Sequence, residues 1–282
     1  MIVLENVQIA PYTSMKVGGN VKTLYKPENR AELLTALRMS RGERLLVIGN
    51  ASNVLFSDEG FDGSVILTGG VRGIALENGK IRADCGVSLT ALSRFAKDRG
   101  KGGLVFAYGI PGTVGGGVFM NAGAYGGQIS DVLSEVTVCS RDGDPFVLPA
   151  SDLQLGYRRS LFMEKELFLL SATFDCPDAD TDELTAQMEH NMEARRAKQP
   201  LEYASCGSTF KRPEGYFAGA LIEQAGLKGL TVGGAQVSEK HAGFVINTGS
   251  ATASDVKTLI ALVQEKVYAQ SGVHLEPEVI IV

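Results

Sequence analysis

Between residues 109 and 127, eight of nineteen positions are glycine: Gly109, Gly112, Gly115, Gly116, Gly117, Gly123, Gly126 and Gly127. Pro111 lies among them. Each glycine costs roughly 0.5–1 kcal/mol inside a helix or strand, so the run reads as loop rather than as the core of an element. Backbone without Cβ atoms can pass close to a ligand and turn N–H groups toward it. Oxyanions, a pyrophosphate above all, bind to such surfaces. The run has neither the Gly-Lys-Ser/Thr ending of a Walker A loop nor the spacing of a GxGxxG dinucleotide helix. A second loop of this kind lies upstream. Leu45, Leu46, Val47 and Ile48 read as a buried strand that leads into Gly49, Asn50, Ala51, Ser52 and Asn53. Small residues there accept a left-handed turn, and the amides reach a phosphate or ribose. Alone, this loop reads equally as an ordinary strand-to-loop turn. Paired with the first, it points to a nucleotide or dinucleotide cofactor.

Three other positions carry groups suited to chemistry. Arg158 follows Gly156 and Tyr157; an arginine there is either solvated or a bidentate partner for a carboxylate. Ser208 lies in Gly207-Ser208-Thr209-Phe210 with Lys211 just beyond. No Gly-x-Ser-x-Gly elbow surrounds it, which argues against a hydrolase nucleophile and leaves a turn serine. Glu278, between Pro277 and an apolar C-terminal run, is either a solvated charge or a partly desolvated acid. The histidines are His190, His241 and His274. None of them pairs at metal-ligand spacing, so no metal is expected.

The elements that must position these groups are partly readable. Asn29 and Glu32, followed by Leu33, Leu34 and Leu37, resemble a capping box opening a helix. Asn78-Gly79 between Ile74–Leu76 and Ile81–Ala83 predicts a hairpin. A second hairpin is expected from Val136–Cys139 and Phe146–Leu148, and a strand over Leu167–Phe174. Ser88 caps a predicted helix carrying Leu89, Leu92, Phe95 and Ala96. An amphipathic helix bearing Leu184, Met188 and Met192 stops at Pro200 and marks a domain boundary; its methionines read as core filler. Further helices are predicted over Tyr216–Ala225 and Ser254–Gln270, the last with Val256, Leu259, Ile260, Val263 and Val267 on one face. The mixture favours an α+β chain with more than one subdomain.

Composition narrows the function. With 282 residues and 44% hydrophobic content, the chain has enough material for a globular core. Its net charge of −5 argues against a nucleic-acid partner. An anionic ligand must therefore be held by local donors against an unfavourable field. Cys85, Cys139, Cys176 and Cys206 form no CxxC motif. The start lacks the pattern of a signal peptide and no run is long enough for a membrane span, so a cytoplasmic protein is expected.

The loops, read with five later segments, resemble the UDP-N-acetylenolpyruvoylglucosamine reductase family. Gly49–Leu55 with Asp58–Gly63 resembles its first flavin loop and Gly109–Gly127 its second. Tyr157–Ser160, Cys206–Lys211, Ala218–Glu223, Lys240–Asn247 and Leu275–Val279 follow in the family's order. Each motif is weak alone; seven in order are specific. The resemblance implies an α+β fold with a two-part FAD-binding domain of the vanillyl-alcohol-oxidase type and a separate substrate-binding domain. Residues 1–68 and 69–198 would be the FAD-binding subdomains and 199–273 the substrate domain. Residues 274–282 would return to the first subdomain or to the cleft. It implies non-covalent FAD, NADPH as co-substrate, UDP-N-acetylglucosamine-enolpyruvate as substrate, and a monomer in peptidoglycan precursor synthesis. FAD contacts would come from Gly49, Asn50, Ala51, Ser52, Asn53, Gly109, Pro111, Gly112, Gly115, Gly116, Asn121, Ala122 and Gly123. Arg158, Ser208 and Glu278 would be catalytic, with Ser208 the proton donor; Tyr125, Tyr157, Lys211 and His241 would contact substrate. Two positions depart from the pattern. Arg212 stands where many members have a substrate-contacting asparagine, and Ile280 where many have an arginine. An oxidase on the same scaffold and a non-redox nucleotide binder are the rival readings.

Overall fold

The structure is a computed structural model that describes residues 1–282. The chain divides into two compact units. One comprises Met1–Glu5, Thr23–Asn50 and Gly63–Ala194; the other comprises Asn6–Lys22, Ala51–Asp62 and Arg195–Val282.

The first unit is built on a five-stranded antiparallel sheet in the order Phe146–Pro149, Leu133–Cys139, Phe168–Phe174, Lys80–Asp84, Ile74–Glu77. Both predicted hairpins are present in it. Asn78 and Gly79 turn the first with φ of 51° and 80°, as a two-residue hairpin loop requires. Helix α1 spans Arg30–Met39, α2 Leu89–Lys97 and α3 Val114–Phe119. Ser88 accepts from the Ala91 N–H and caps α2, whose Leu89, Leu92 and Ala96 are buried. They share a core with Ile81, Ala83, Val136, Leu170 and Phe174. Leu45–Ile48 pairs in parallel with Phe61–Leu67, from Leu45 opposite Ser64 to Ile48 opposite Leu67.

Two expectations need correction. The glycine run is not wholly loop: Gly115, Gly116 and Gly117 lie inside α3. Packing outweighs propensity there. A Cβ on Gly117 would sit 3.1 Å from Leu89, and one on Gly115 3.2 Å from the Cys85 carbonyl, so glycine permits an approach that a side chain would block. The capping box at Asn29 is only half made. Asn29 accepts from the Glu32 N–H, but the Glu32 carboxylate turns to the Glu28 N–H and the N-terminal ammonium.

The second unit holds a four-stranded antiparallel sheet ordered Ala204–Ser208, Phe244–Asn247, Ala235–Val237, Thr231–Val232. Helix α4, Thr181–Lys198, is assigned to the first unit up to Ala194 and to the second from Arg195. Helices α5, Ala218–Gln224, and α6, Ala253–Ser271, follow. All five residues of the predicted apolar face of α6 are buried, at about 1.5–3 kcal/mol for each large side chain. A Thr252–Asp255 capping box opens α6, and Gly272 at φ 69° ends it. The Asp58 carboxylate also accepts from Ala253 N–H at 2.7 Å and Ser254 N–H at 2.8 Å. Ile280–Ile281 pairs in parallel with Val54–Leu55. Helices combined with mainly antiparallel sheets in both units bear out the α+β class.

Candidate active site

In the first unit the two glycine loops are clasped together. A Cβ on Gly49 would lie 2.1 Å from Thr113 Oγ1, so only glycine lets the first loop pass this threonine. Asn50 Nδ2 donates to the Pro111 carbonyl at 2.9 Å. Gly109, at φ 87°, donates its N–H to Thr90 Oγ1 at 3.1 Å, and Gly112 O accepts from Leu89 N–H at 3.0 Å. Thr113 caps α3 with a long 3.5 Å contact from the Gly116 N–H. The N–H groups of Val114 and Gly115 are bonded to the Val87 and Cys85 carbonyls, both at 2.8 Å. Fewer backbone donors therefore face outward than the glycine count suggests. Beside Gly116 the backbone is bare: an added Cβ would meet nothing nearer than Thr113 Oγ1 at 3.9 Å.

The end of the run is braced to the Arg158 turn. Asn121 is 1% exposed, and its amide donates to Gly156 O at 3.1 Å while Oδ1 accepts from Ser130 N–H at 2.9 Å. Ala122 donates its N–H to Gly117 O at 2.8 Å. Buried Ser160 donates to the Phe119 carbonyl at 2.6 Å. Gly156 and Arg159 exchange backbone bonds around Tyr157 and Arg158, a tight turn. Arg158 Nη2 donates to Gly123 O at 3.3 Å, and its guanidinium lies 5.0 Å from the exposed Tyr157 ring. Ala51, Asn121, Tyr125 and Arg158 all have φ between 42° and 53°. Such conformations cost of order 1–3 kcal/mol and cluster at functional sites. Half of the eight non-glycine residues at positive φ belong to the predicted site.

The second unit gathers Ser208, Glu278, Lys211, Asn53 and His241. Ser208 ends its strand, exposed, opposite Phe244 and after a register shift that begins beyond Ser205. Gly207 at φ 74° makes that irregularity, which re-aims the next side chain as a bulge does. Glu278 is half-buried and donates its N–H to Thr209 O at 2.8 Å. Lys211 pairs with Glu276 through its ammonium and donates its N–H to the Glu276 carbonyl. Ser52 is half-buried in the first loop. His241 Nδ1 accepts from Gly243 N–H at 3.1 Å and the ring meets Phe244 edge-on at 4.8 Å. Burial holds its pKa below the usual histidine range, so the neutral ring carries its proton on Nε2. Burial likewise pushes the Cys206 thiol up to about 12, which removes it as a nucleophile at neutral pH. Arg212 stacks 3.9 Å from the exposed Phe217 ring and donates to Tyr216 O. Ile280 is a strand residue whose N–H bonds to Asn53 O.

Sequence reasoning missed three of these features. The Asn121 brace, the Ser160 anchor and the Asn53–Ile280 bond each join positions far apart in the chain. For the first two the structure supplies the reason: a buried amide or hydroxyl must find internal partners, and Asn121 and Ser160 are both 1% exposed.

Residues 199–282 match the family model described as UDP-N-acetylenolpyruvoylglucosamine reductase, C-terminal domain, and residues 21–148 match an FAD binding domain. The UDP-N-acetylenolpyruvoylglucosamine reductase of Caldicellulosiruptor bescii is 43% identical over 98% of this chain and 89% of its own. That of Streptococcus pneumoniae is 46% identical over 95% of this chain and 90% of its own. The crystal structure of the Thermus caldophilus UDP-N-acetylenolpyruvylglucosamine reductase superposes with a TM-score of 0.86 at 36% identity, covering 100% of this chain and 99% of that one. With relatives this similar along nearly its whole length, the chain belongs to the UDP-N-acetylenolpyruvoylglucosamine reductase family.

Proposed function

We propose that this chain is an FAD-dependent reductase that uses NADPH to convert UDP-N-acetylglucosamine-enolpyruvate to UDP-N-acetylmuramate. The observation that carries the reading is the family match over residues 199–282, which holds Ser208 and Glu278, joined to an FAD-binding match over the glycine loops. The residues present fit FAD. A pyrophosphate needs backbone with no side chain in its way. Gly116 supplies it, as does Gly69, where an added Cβ would meet nothing nearer than Asn50 Oδ1 at 3.8 Å.

FAD, when bound, supplies hydride transfer from NADPH to the vinyl carbon of the substrate. We assign its contacts to the loops Gly49–Asn53 and Gly109–Gly123. Arg158 binds the substrate carboxylate; its left-handed backbone and its bond to Gly123 O fix the guanidinium for bidentate binding. Ser208 donates a proton to the carbon beside the vinyl terminus. A hydroxyl is a weak acid, so Glu278 and Arg158 must steady the charge that develops on the substrate. Tyr125, Tyr157, Lys211 and His241 are assigned to substrate contact. Residues 1–68, 69–198 and 199–273 are read as two FAD subdomains and a substrate domain, with 274–282 returning. We infer a cytoplasmic monomer that serves peptidoglycan precursor synthesis, and through it cell shape and division. The net charge of −5 supports a protein without a nucleic-acid partner, and no helix is long and apolar enough to cross a membrane.

An anaerobic titration tests the reading. The purified protein should be yellow, bleach with one equivalent of NADPH, and regain its colour with the enolpyruvyl nucleotide. A colourless protein with full nucleotide affinity would favour a simple binder. Recovery with O₂ but not with the nucleotide would favour an oxidase.

A further inference from the structure

The geometry points to Asn53 as a positioning residue for Glu278, a role beyond the cofactor contact expected of its loop. Asn53 Nδ2 donates to the Glu278 carbonyl at 3.0 Å. The Asn53 carbonyl accepts from the Ile280 N–H, also at 3.0 Å. One residue thus brackets Glu278 and Ile280 and adds a rung to the parallel pairing of Val54–Leu55 with Ile280–Ile281.

The other side of Glu278 is held as well. Its N–H donates to Thr209 O at 2.8 Å. Thr209 is 3% exposed and is itself fixed: its N–H bonds to Gly243 O at 2.8 Å, and its hydroxyl accepts from Val245 N–H at 3.0 Å. Both peptide groups flanking the Glu278 Cα are therefore tied, one beside Ser208 and one to Asn53. Their bonds set the point from which the Glu278 carboxylate reaches. A side-chain amide suits the Asn53 position because it donates to the Glu278 carbonyl while the backbone carbonyl of the same residue accepts from Ile280 N–H. Asn53 therefore links the loop proposed to hold FAD to the carboxylate proposed to act on the substrate. The inference rests on the reductase reading above.

Asn53→Asp keeps the side-chain shape and removes the donor, setting a carboxylate against the Glu278 carbonyl. Amide hydrogen exchange on the FAD-loaded protein should rise about tenfold at Glu278 and Ile280, with α6 unchanged. In anaerobic stopped-flow, reoxidation by the enolpyruvyl nucleotide should slow about 10²-fold more than reduction by NADPH, as expected for a small misplacement of a reacting group. In a Glu278→Gln background, adding Asn53→Asp should cause no further loss in reoxidation, because residues acting as a unit are not additive. Asn53→Ser, which retains a donor, should recover part of the rate. Additive losses in the double variant, equal slowing of both half-reactions, unchanged exchange at Glu278, or faster exchange throughout α6 would each overturn the role. A wild type whose flavin is not reoxidised by the nucleotide overturns the reductase reading together with it. A wild type that is reoxidised, with additive losses, overturns the Asn53 role alone.

Discussion

Gly115 and Gly116 are neighbours with different reasons to be glycine. A Cβ at Gly115 would press on the Cys85 carbonyl at 3.2 Å and the Cys85 side chain at 3.3 Å, whereas at Gly116 it enters open space. Gly115→Val should thus destabilise the protein by about 1–3 kcal/mol through overpacking, whatever it does to FAD. Gly116→Val should yield protein depleted of FAD, with a thermal midpoint within a few degrees of FAD-free wild type. Flavin content and thermal unfolding measured side by side check this; a fully yellow Gly116→Val would remove Gly116 from the cofactor site. At this scale the sequence was informative where composition itself is the signal. Eight glycines in nineteen positions have few uses other than close backbone approach. It was silent where a residue's work depends on a distant partner. Asn53 meets Glu278 across 225 positions, and nothing in its local context says so.

Elements announced by local chemistry were legible. Ser88 caps α2 and Asn78-Gly79 turns a hairpin because each acts within a few residues of itself. The strands Ile2–Gln8, Asn20–Lys26, Phe61–Leu67 and Phe244–Asn247 were not predicted. Ile2–Gln8 neighbours Asn20–Lys26, and Phe244–Asn247 neighbours both Ala204–Ser208 and Ala235–Val237; no two-residue hairpin signal joins any of these pairs. Helix α3 was read as loop because its stability lies in contacts with Leu89 and Cys85 rather than in propensity. Helix α6 adds a device no local pattern reveals: Asp58, 195 positions before Ala253, caps its N-terminus. Asp58→Ala should lower the stability of the folded protein by about 1–2 kcal/mol, the usual worth of an N-cap, as read from the denaturant midpoint. A change below a few tenths would mean that the Thr252–Asp255 box suffices alone.

At the scale of the whole molecule, the chain alternates between its units, so Ala51–Asp62 is grouped with the C-terminal Arg195–Val282 rather than with its own neighbours. Linear order therefore predicted motifs better than their grouping. The central claim is a division of labour: the glycine loops hold the cofactor, and Ser208 supplies the proton for the second half of the reaction. Anaerobic stopped-flow on Ser208→Ala tests it most directly. NADPH bleaching of the flavin requires no proton on the enol carbon and should proceed near the wild-type rate. Reoxidation by UDP-N-acetylglucosamine-enolpyruvate should slow by about 10²–10⁴, the usual contribution of a general acid. Equal slowing of both phases, or reoxidation at the wild-type rate, would contradict the account.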